Sequence, residues 1–333
     1  MNDAEVAGSL AEQDRVLRQA VGAVALERDV VRVSGADAVG YLQGQCSQDV
    51  EQLAVGASAD ALLLSPQGKL HSLVRVTRLA GDELLVDVDG GYGPAVVERL
   101  LRFRLRVKVE VELLPWRCVA LRGPEAAAAA ARPAAGATAH PAAGAADRVA
   151  GAADGLVVVP FTWPGAAGVD LLGVAPTVPD GVPRCSLSAW QALRIEAGVP
   201  AMGAELDERT IPAEAGLVER AVSLTKGCYT GQELVARLDA RGSRVARHLR
   251  GLVVAGLRSA DGAGPETVPP PGTAVRVGDR VVGTVTSSAW SPGRGAVALT
   301  YLHRSVEPPA QVELVDEDGT VLGRAEARTL PMG

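Results

Sequence analysis

The apolar positions of the chain fall into short alternating runs after a polar start. Residues 30–33 form an apolar strand running into Ser34, which makes a helix-start box with Asp37. Val39, Leu42 and Cys46 follow at near-helical spacing, so a short core-packing helix is predicted to end near Gly44. Strands over 59–64 and 70–77 flank Ser65-Pro66-Gln67-Gly68, where Pro second and Gly fourth suit a type I turn and hence a hairpin. Gly81-Asp82 turns the chain into a further strand over 83–89. Pro94 then opens a helix carried by Val96, Val97, Leu100, Leu101 and Phe103, and residues 107–111 alternate apolar with charged as a half-buried strand does. A strand over 117–121 and a polyalanine helix after Pro124, stopped by Pro133, complete this part.

From 133 to 155 the chain is almost entirely Ala, Gly and Pro, a surface loop with little to bury and no function of its own. Strands resume at 156–159 and 169–172. Trp190, Leu193, Ile195 and Ala197 place a short helix over 188–198, capped by Ser186 or Ser188. Beyond Arg247 the pattern is all short strands, at 249–254, 274–277, 280–287, 296–302, 312–314 and 321–325, with a hairpin turn at Gly278-Asp279 and a loop over 261–271. These predict a small barrel or sandwich. Strands, helices and hairpins in this order make an α+β protein rather than a doubly wound sheet, and no GxGxxG or Walker sequence follows any strand.

Composition narrows the classes. A chain of 333 residues, 47% hydrophobic and 22% charged, is that of a soluble globular protein of two or three domains. A net charge of −6 argues against a broad nucleic-acid footprint. Cys46, Cys118, Cys185 and Cys228 are far apart and form no CxxC pair, so neither a zinc site nor a self-contained iron–sulfur ligand set is expected. Residues 1–14 lack the basic and apolar regions of a secretory signal, and no apolar run approaches the roughly 20 residues of a membrane span. A cytoplasmic monomer with reduced cysteines is the expectation.

One stretch concentrates the candidate chemistry. In residues 223–238, SLTKGCYTGQELVARL, glycines flank a cysteine beside Lys226, one of three lysines in the chain. Thr230 and Glu233 read as a capping box, which predicts a helix from Gly231 with Leu234, Val235 and Leu238 on its buried face. Cys228 then precedes a helix N-terminus, where unpaired N–H groups favour an anion, and Lys226 adds a positive charge two residues away. That setting favours a thiolate; the plain alternative is a small buried hydrophobe.

KGCYTGQE, continuing as Val235, Ala236, Arg237 and then Arg241-Gly242, closely resembles the signature of the YgfZ-like folate-binding proteins. These are relatives of the glycine-cleavage T protein, an aminomethyltransferase, and take part in iron–sulfur cluster assembly and maintenance. Tyr41, Gln43, Gly44 and Asp49 fit the family's first helical segment, LRIEAGVPAMGAELDERTIPAEAGL resembles the stretch ahead of the signature, and VGTVTSSAWSPGRGAVALTYLHR resembles the C-terminal domain. The resemblance implies a T-protein-like folate-binding body over 1–122 and 156–247, interrupted by an insertion over 123–155 and followed by a β-barrel over 248–333. It implies tetrahydrofolate or a one-carbon derivative as cofactor, bound by Glu196, Trp190, Tyr229, Gln232, Glu233, Arg237 and Arg241, with Cys228 and Lys226 carrying the chemistry. Glu196, in its R-x-E-x-G context, would accept two parallel N–H bonds from a pterin edge. Trp190 would supply an aromatic face, and Arg237, Arg241 and Arg244 cations for the glutamate tail. A second tryptophan of the family is replaced by Arg28 or a neighbour. On the residues alone, Glu196 also reads as solvated charge, Trp190 as core, and each arginine as surface.

Three functions follow. The first is an accessory factor for iron–sulfur proteins, supporting tRNA-modifying radical enzymes, with assembly or client proteins as partners and neither nucleic acid nor membrane contacted directly. The second is a folate-dependent aminomethyl or methyl transferase of the T-protein type. Asp87 and Asp89 lie in the comparable segment, VDVDGGYGPAV, but the Asn-Ala-Gly followed by Asp is missing. The third is a thiol-redox enzyme on Cys228, which has no resolving cysteine nearby in sequence, although Cys46, Cys118 or Cys185 could approach it in the fold. His71, His140, His248 and His303 show no distinctive spacing.

Overall fold

The structure, a computed structural model, describes residues 6, 8–132, 155–240, 244–257 and 267–333. Its first helix, α1 (Leu10–Gln19), lies in the stretch that apolar spacing reads only as polar. Ser9 caps it: the hydroxyl accepts from Glu12 N while the Glu12 carboxylate accepts from Ser9 N, a capping box legible as S-x-x-E.

Two antiparallel sheets make the body. In the first, β3 (Ser58–Leu64), β4 (Leu70–Ala80), β5 (Glu83–Asp89), β2 (Arg28–Ser34) and β6 (Glu110–Leu114) lie side by side in that order. Period-2 alternation sorts their side chains. Val31, Val33, Val74, Val76, Leu84 and Val86 face a core covered by α2 (Ala38–Gln45) and α3 (Gly93–Arg102), while Val30, Leu79 and Leu85 face the second sheet. That sheet has the order β1 (Gly22–Leu26), β7 (Arg117–Arg122), β9 (Gly168–Gly173), β8 (Leu156–Phe161). It turns Cys118, Ala120 and Leu172 inward, and Val119, Leu121 and Leu171 outward under the short α4 (Ala126–Ala130).

The central helix is α5 (Leu187–Ala197). Ser186 caps its start, accepting from Ala189 N, and Gly198 ends it at φ 73°, in the left-handed region. Eight of its eleven residues are buried, because it is enclosed on both sides. Trp190 and Leu193 pack with Leu17 and Val24, whereas Ala192 and Ile195 pack with Ala289, Val297 and Leu299 of the C-terminal domain. That domain is a closed barrel of β10 (Arg247–Ala255), β13 (Gly295–His303), β12 (Arg280–Ser291), β11 (Ala274–Val277), β14 (Ala310–Val315) and β15 (Val321–Arg328), with β10 also pairing β15. Closure leaves no sheet edge exposed.

Three local expectations shift. The helix after Ser34 begins at Ala38 with Asp37 as its cap, and the Asp37 carboxylate accepts from Lys108 N rather than from its own helix. Asp37 N also donates to Lys108 O, which takes that residue's backbone out of the sheet, so the strand expected over 107–111 runs at Glu110–Leu114. The polyalanine helix is five residues long. The loop expected over 133–155 lies almost wholly outside the described residues, as does most of that over 261–271. No helix among the described residues is long and apolar enough to cross a membrane.

Candidate functional site

The signature segment lies between α6 (Val218–Ala221) and α7 (Gln232–Ala240), bonded along its length to the end of α2. Ser47 starts the attachment: its hydroxyl donates to Ala221 O at 2.5 Å and accepts from Leu62 N, and its carbonyl accepts from Ser223 N. Lys226 Nζ then donates to three carbonyls, Gln43 at 2.5 Å, Cys46 at 2.8 Å and Gln48 at 2.8 Å. Thr230 N closes the segment onto Gly44 O. A helix C-terminus leaves carbonyls without partners and carries partial negative charge. With no basic residue in its last turn, α2 receives that charge from Lys226, 180 positions beyond Cys46.

Glycine completes the fit. Gly231 has φ 83°, and a Cβ there would lie 2.3 Å from Ser65 O in the β3–β4 turn. A left-handed residue cannot open a right-handed helix, so α7 starts at Gln232 and not at Gly231. The side chain that reaches back is Gln232, whose Oε1 accepts from Tyr229 N at 3.2 Å, one residue out of register with the expected Thr230–Glu233 box. Leu234 and Leu238 are half-buried and Val235 is buried, as the helical spacing predicts.

The expected residues therefore fall into two groups. Cys228, Lys226, Tyr229, Gln232 and Glu233 share the loop and the start of α7. Cys228 is exposed, and Tyr229 is half-buried with its ring 5.2 Å from Lys226 Nζ; burial pushes its phenol up to about 12. Partial burial lowers the pKa of Lys226. Glu233 and Arg237 are exposed, as is Arg244, and Arg241 lies outside the described residues. The other thiols are buried: burial pushes Cys46 and Cys185 each up to about 11, and raises Cys118 with help from Asp170.

Glu196 and Trp190 stand apart on α5. Glu196 is 6% exposed, and both its oxygens are engaged: Oε1 accepts from Arg18 Nη2 at 2.8 Å and Oε2 from Arg294 Nε at 3.0 Å. Its own carbonyl accepts from Met332 N, while Arg294 also donates to Met332 O. Trp190 is buried edge-on to Phe161, with the guanidinium of Arg122 over its ring at 4.9 Å. Of the readings open in the sequence, Trp190 is core, and Glu196 is a clasp joining α1, α5 and the barrel.

Sequence reasoning missed a chain of ions between the sheets. Asp87 bonds Arg28 and Arg75, Arg75 pairs with Asp170, and Asp170 pairs with Arg122, whose guanidinium lies 3.9 Å from the Phe161 ring centre. Burial raises the Asp170 pKa, but Arg122, Arg75 and Arg28 outweigh it and hold the carboxyl down at about 2. Asp89 bonds Arg28 through one oxygen and Met202 N through the other. Neither aspartate comparable to a transferase carboxylate is free of an ionic partner.

No protein-family model matches the chain. It is 29% identical over 325 residues to an aminomethyltransferase of Thermus thermophilus, covering 92% of this chain and 86% of that one. It is also 26% identical over 216 residues to an uncharacterized protein of Haemophilus influenzae, covering 64% and 67%. The crystal structure of glycine cleavage system aminomethyltransferase T from Bartonella henselae matches 98% of this chain and 90% of its own, at a TM-score of 0.76 and 21% identity. The fold is that of the aminomethyltransferases. The T-protein-like α+β class with its C-terminal barrel is thus the architecture of this chain.

Within the aminomethyltransferase fold, the expected tetrahydrofolate contacts on α5 have protein partners. Each Glu196 oxygen accepts from one arginine, and the Trp190 ring is buried beside Arg122 and Phe161. Two surface cavities are built from other residues. One of about 390 Å³ is lined by Ser58, Asp60, Thr162, Glu219 and Arg220, and one of about 580 Å³ by Arg18 with Leu17, Pro124 and small residues. What the signature loop offers is an exposed thiol on a backbone fixed at many points.

Proposed function

We propose that this protein is a tetrahydrofolate-binding accessory factor in the maintenance of iron–sulfur proteins, acting through Cys228. The observation that carries the reading is that Cys228 is the one exposed cysteine of the four, on a loop that resembles the YgfZ-like signature and is bonded to α2 from Ser223 to Thr230. An exposed sulfur on a fixed backbone suits a nucleophile or a transient soft ligand for a partner's iron. Burial of Cys46, Cys118 and Cys185 leaves it without a second surface thiol, which disfavours an internal redox pair. The folate part of the reading is supported by the aminomethyltransferase fold and by the signature. Client proteins that carry iron–sulfur clusters, tRNA-modifying enzymes among them, are the proposed partners, in the cytoplasm.

Anaerobic calorimetric titration with tetrahydrofolate, run beside recovery of iron–sulfur enzyme activities in a deletion strain, tests both parts. Wild type and Cys228→Ala should bind equally, and only wild type should restore activity. Absence of binding by wild type removes the folate part. Full complementation by Cys228→Ala removes the thiol part, and aminomethyl transfer by the purified protein would favour the transferase instead.

A further inference from the structure

We infer that Lys226 is a positioning residue that locks the Cys228 loop to the end of α2, and not a group that acts on the thiol by its charge. An ammonium has three N–H bonds, and Lys226 Nζ makes three hydrogen bonds, to the carbonyls of Gln43, Cys46 and Gln48. None is left for a sulfur two residues away. Two of the carbonyls, Gln43 and Cys46, belong to the end of α2, which has no basic residue in its last turn, so the charge is placed where the helix needs it. The same strip is reinforced from below. Gln43 Oε1 accepts from Val50 N and its Nε2 donates to Asp49, which fixes the chain that supplies the carbonyls. Ser47 and Gly44 hold the segment on either side of Lys226 through Ala221, Ser223 and Thr230. Lys226 reaches into this strip, and Cys228, two residues on, is exposed.

The inference rests on the reading above only in naming Cys228 as the group to be held. Its test uses purified protein without folate or partner, so a failed folate titration leaves it standing. Lys226→Met removes both charge and donors. Lys226→Arg keeps the charge, but a planar fork cannot aim at three converging carbonyls. Hydrogen exchange of the 223–231 amides should quicken ~10-fold or more in both variants, since three charge-assisted bonds hold the closed loop. The rate of Cys228 alkylation by iodoacetamide, followed by peptide mass across pH, should keep the midpoint of wild type in both. Unchanged exchange overturns the inference. So does a midpoint that rises in Lys226→Met but not in Lys226→Arg, which would make the charge itself the agent. If Lys226→Met does not fold, Lys226→Arg alone carries the exchange measurement, and its outcome decides.

Discussion

Glu196 illustrates how a residue's chemistry is set by its neighbours rather than by its motif. A carboxylate in R-x-E-x-G suits the edge of a pterin, yet this one is held between Arg18 and Arg294. The other charged residue of the motif is also a connector, because Arg194 bonds Glu205 and Ser287 across to the barrel. Glu196→Ala should therefore lower unfolding free energy by roughly 1–3 kcal/mol, with the partly exposed arginines keeping the loss below that of a fully buried pair. Urea titration measures it. Arg18→Ala and Arg294→Ala should each cost less than Glu196→Ala, because each leaves the carboxylate one partner. Equal stability of Glu196→Ala and wild type would return the carboxylate to the pool of candidate ligand contacts. The same distinction separates Lys226 from Cys228: two positions in sequence suggest a charge beside a thiol, but the side chain points into α2.

At the level of elements, the signature is a docking surface before it is a site. Its two glycines differ in a way that makes this testable. Gly231 is left-handed, and a Cβ would meet the Ser65 carbonyl at 2.3 Å, whereas a Cβ on Gly227 would meet nothing within 4 Å. Gly231→Ala should cost roughly 1–3 kcal/mol and speed proteolysis between residues 222 and 231, while Gly227→Ala stays within about 0.5 kcal/mol of wild type. Thermal melts and limited trypsin digestion of the pair compare them directly. Equal behaviour would mean that the loop is not seated on the β3–β4 turn. Strand spacing made much of this architecture legible: β5 and β11 fall on their predicted residues, and the hairpin at Ser65–Gly68 is where Pro and Gly place it. Local signals failed where a distant backbone intervened. Lys108 bonding to Asp37 displaced β6, and the Ser65 carbonyl beneath Gly231 moved the start of α7 by one residue. Helix α1 is the reverse case: its Ser9–Glu12 box is local, but it opens a stretch with few apolar positions to carry a helical period.

Across the whole molecule, the two sheets of the body are joined by apolar contacts and ions side by side, with Val30 paired across strands to Asp87 and Ala120 to Asp170. Val30, Leu85, Ala120 and Leu172 meet between the sheets, and in the same layer Arg28, Arg75 and Arg122 interleave with Asp87 and Asp170. Nothing in the sequence marks this chain as a unit: Arg28 and Asp87 are 59 positions apart, and Arg122 and Asp170 48. A buried ionic chain resists the loss of any one member, because desolvated charges left without a partner are costly. Asp170→Asn leaves Arg122 and Arg75 facing a neutral group and should cost about 3–5 kcal/mol at pH 7. The pH dependence distinguishes this from mere loss of packing. A carboxyl held at about 2 in the folded protein, below its ordinary value of 3.8, contributes stability that is full above pH 3.8 and lost as pH falls through 2. Wild type should therefore lose stability more steeply than Asp170→Asn as the pH is lowered from 4 toward 2, so that their urea midpoints draw closer. Parallel midpoints over that interval would show that Asp170 ionisation does not join the sheets. Asp170→Leu provides the packing control: it removes the titration as Asp170→Asn does, but fills the gap between the sheets without satisfying either arginine. It should be at least as unstable as Asp170→Asn if ion pairing rather than volume joins them.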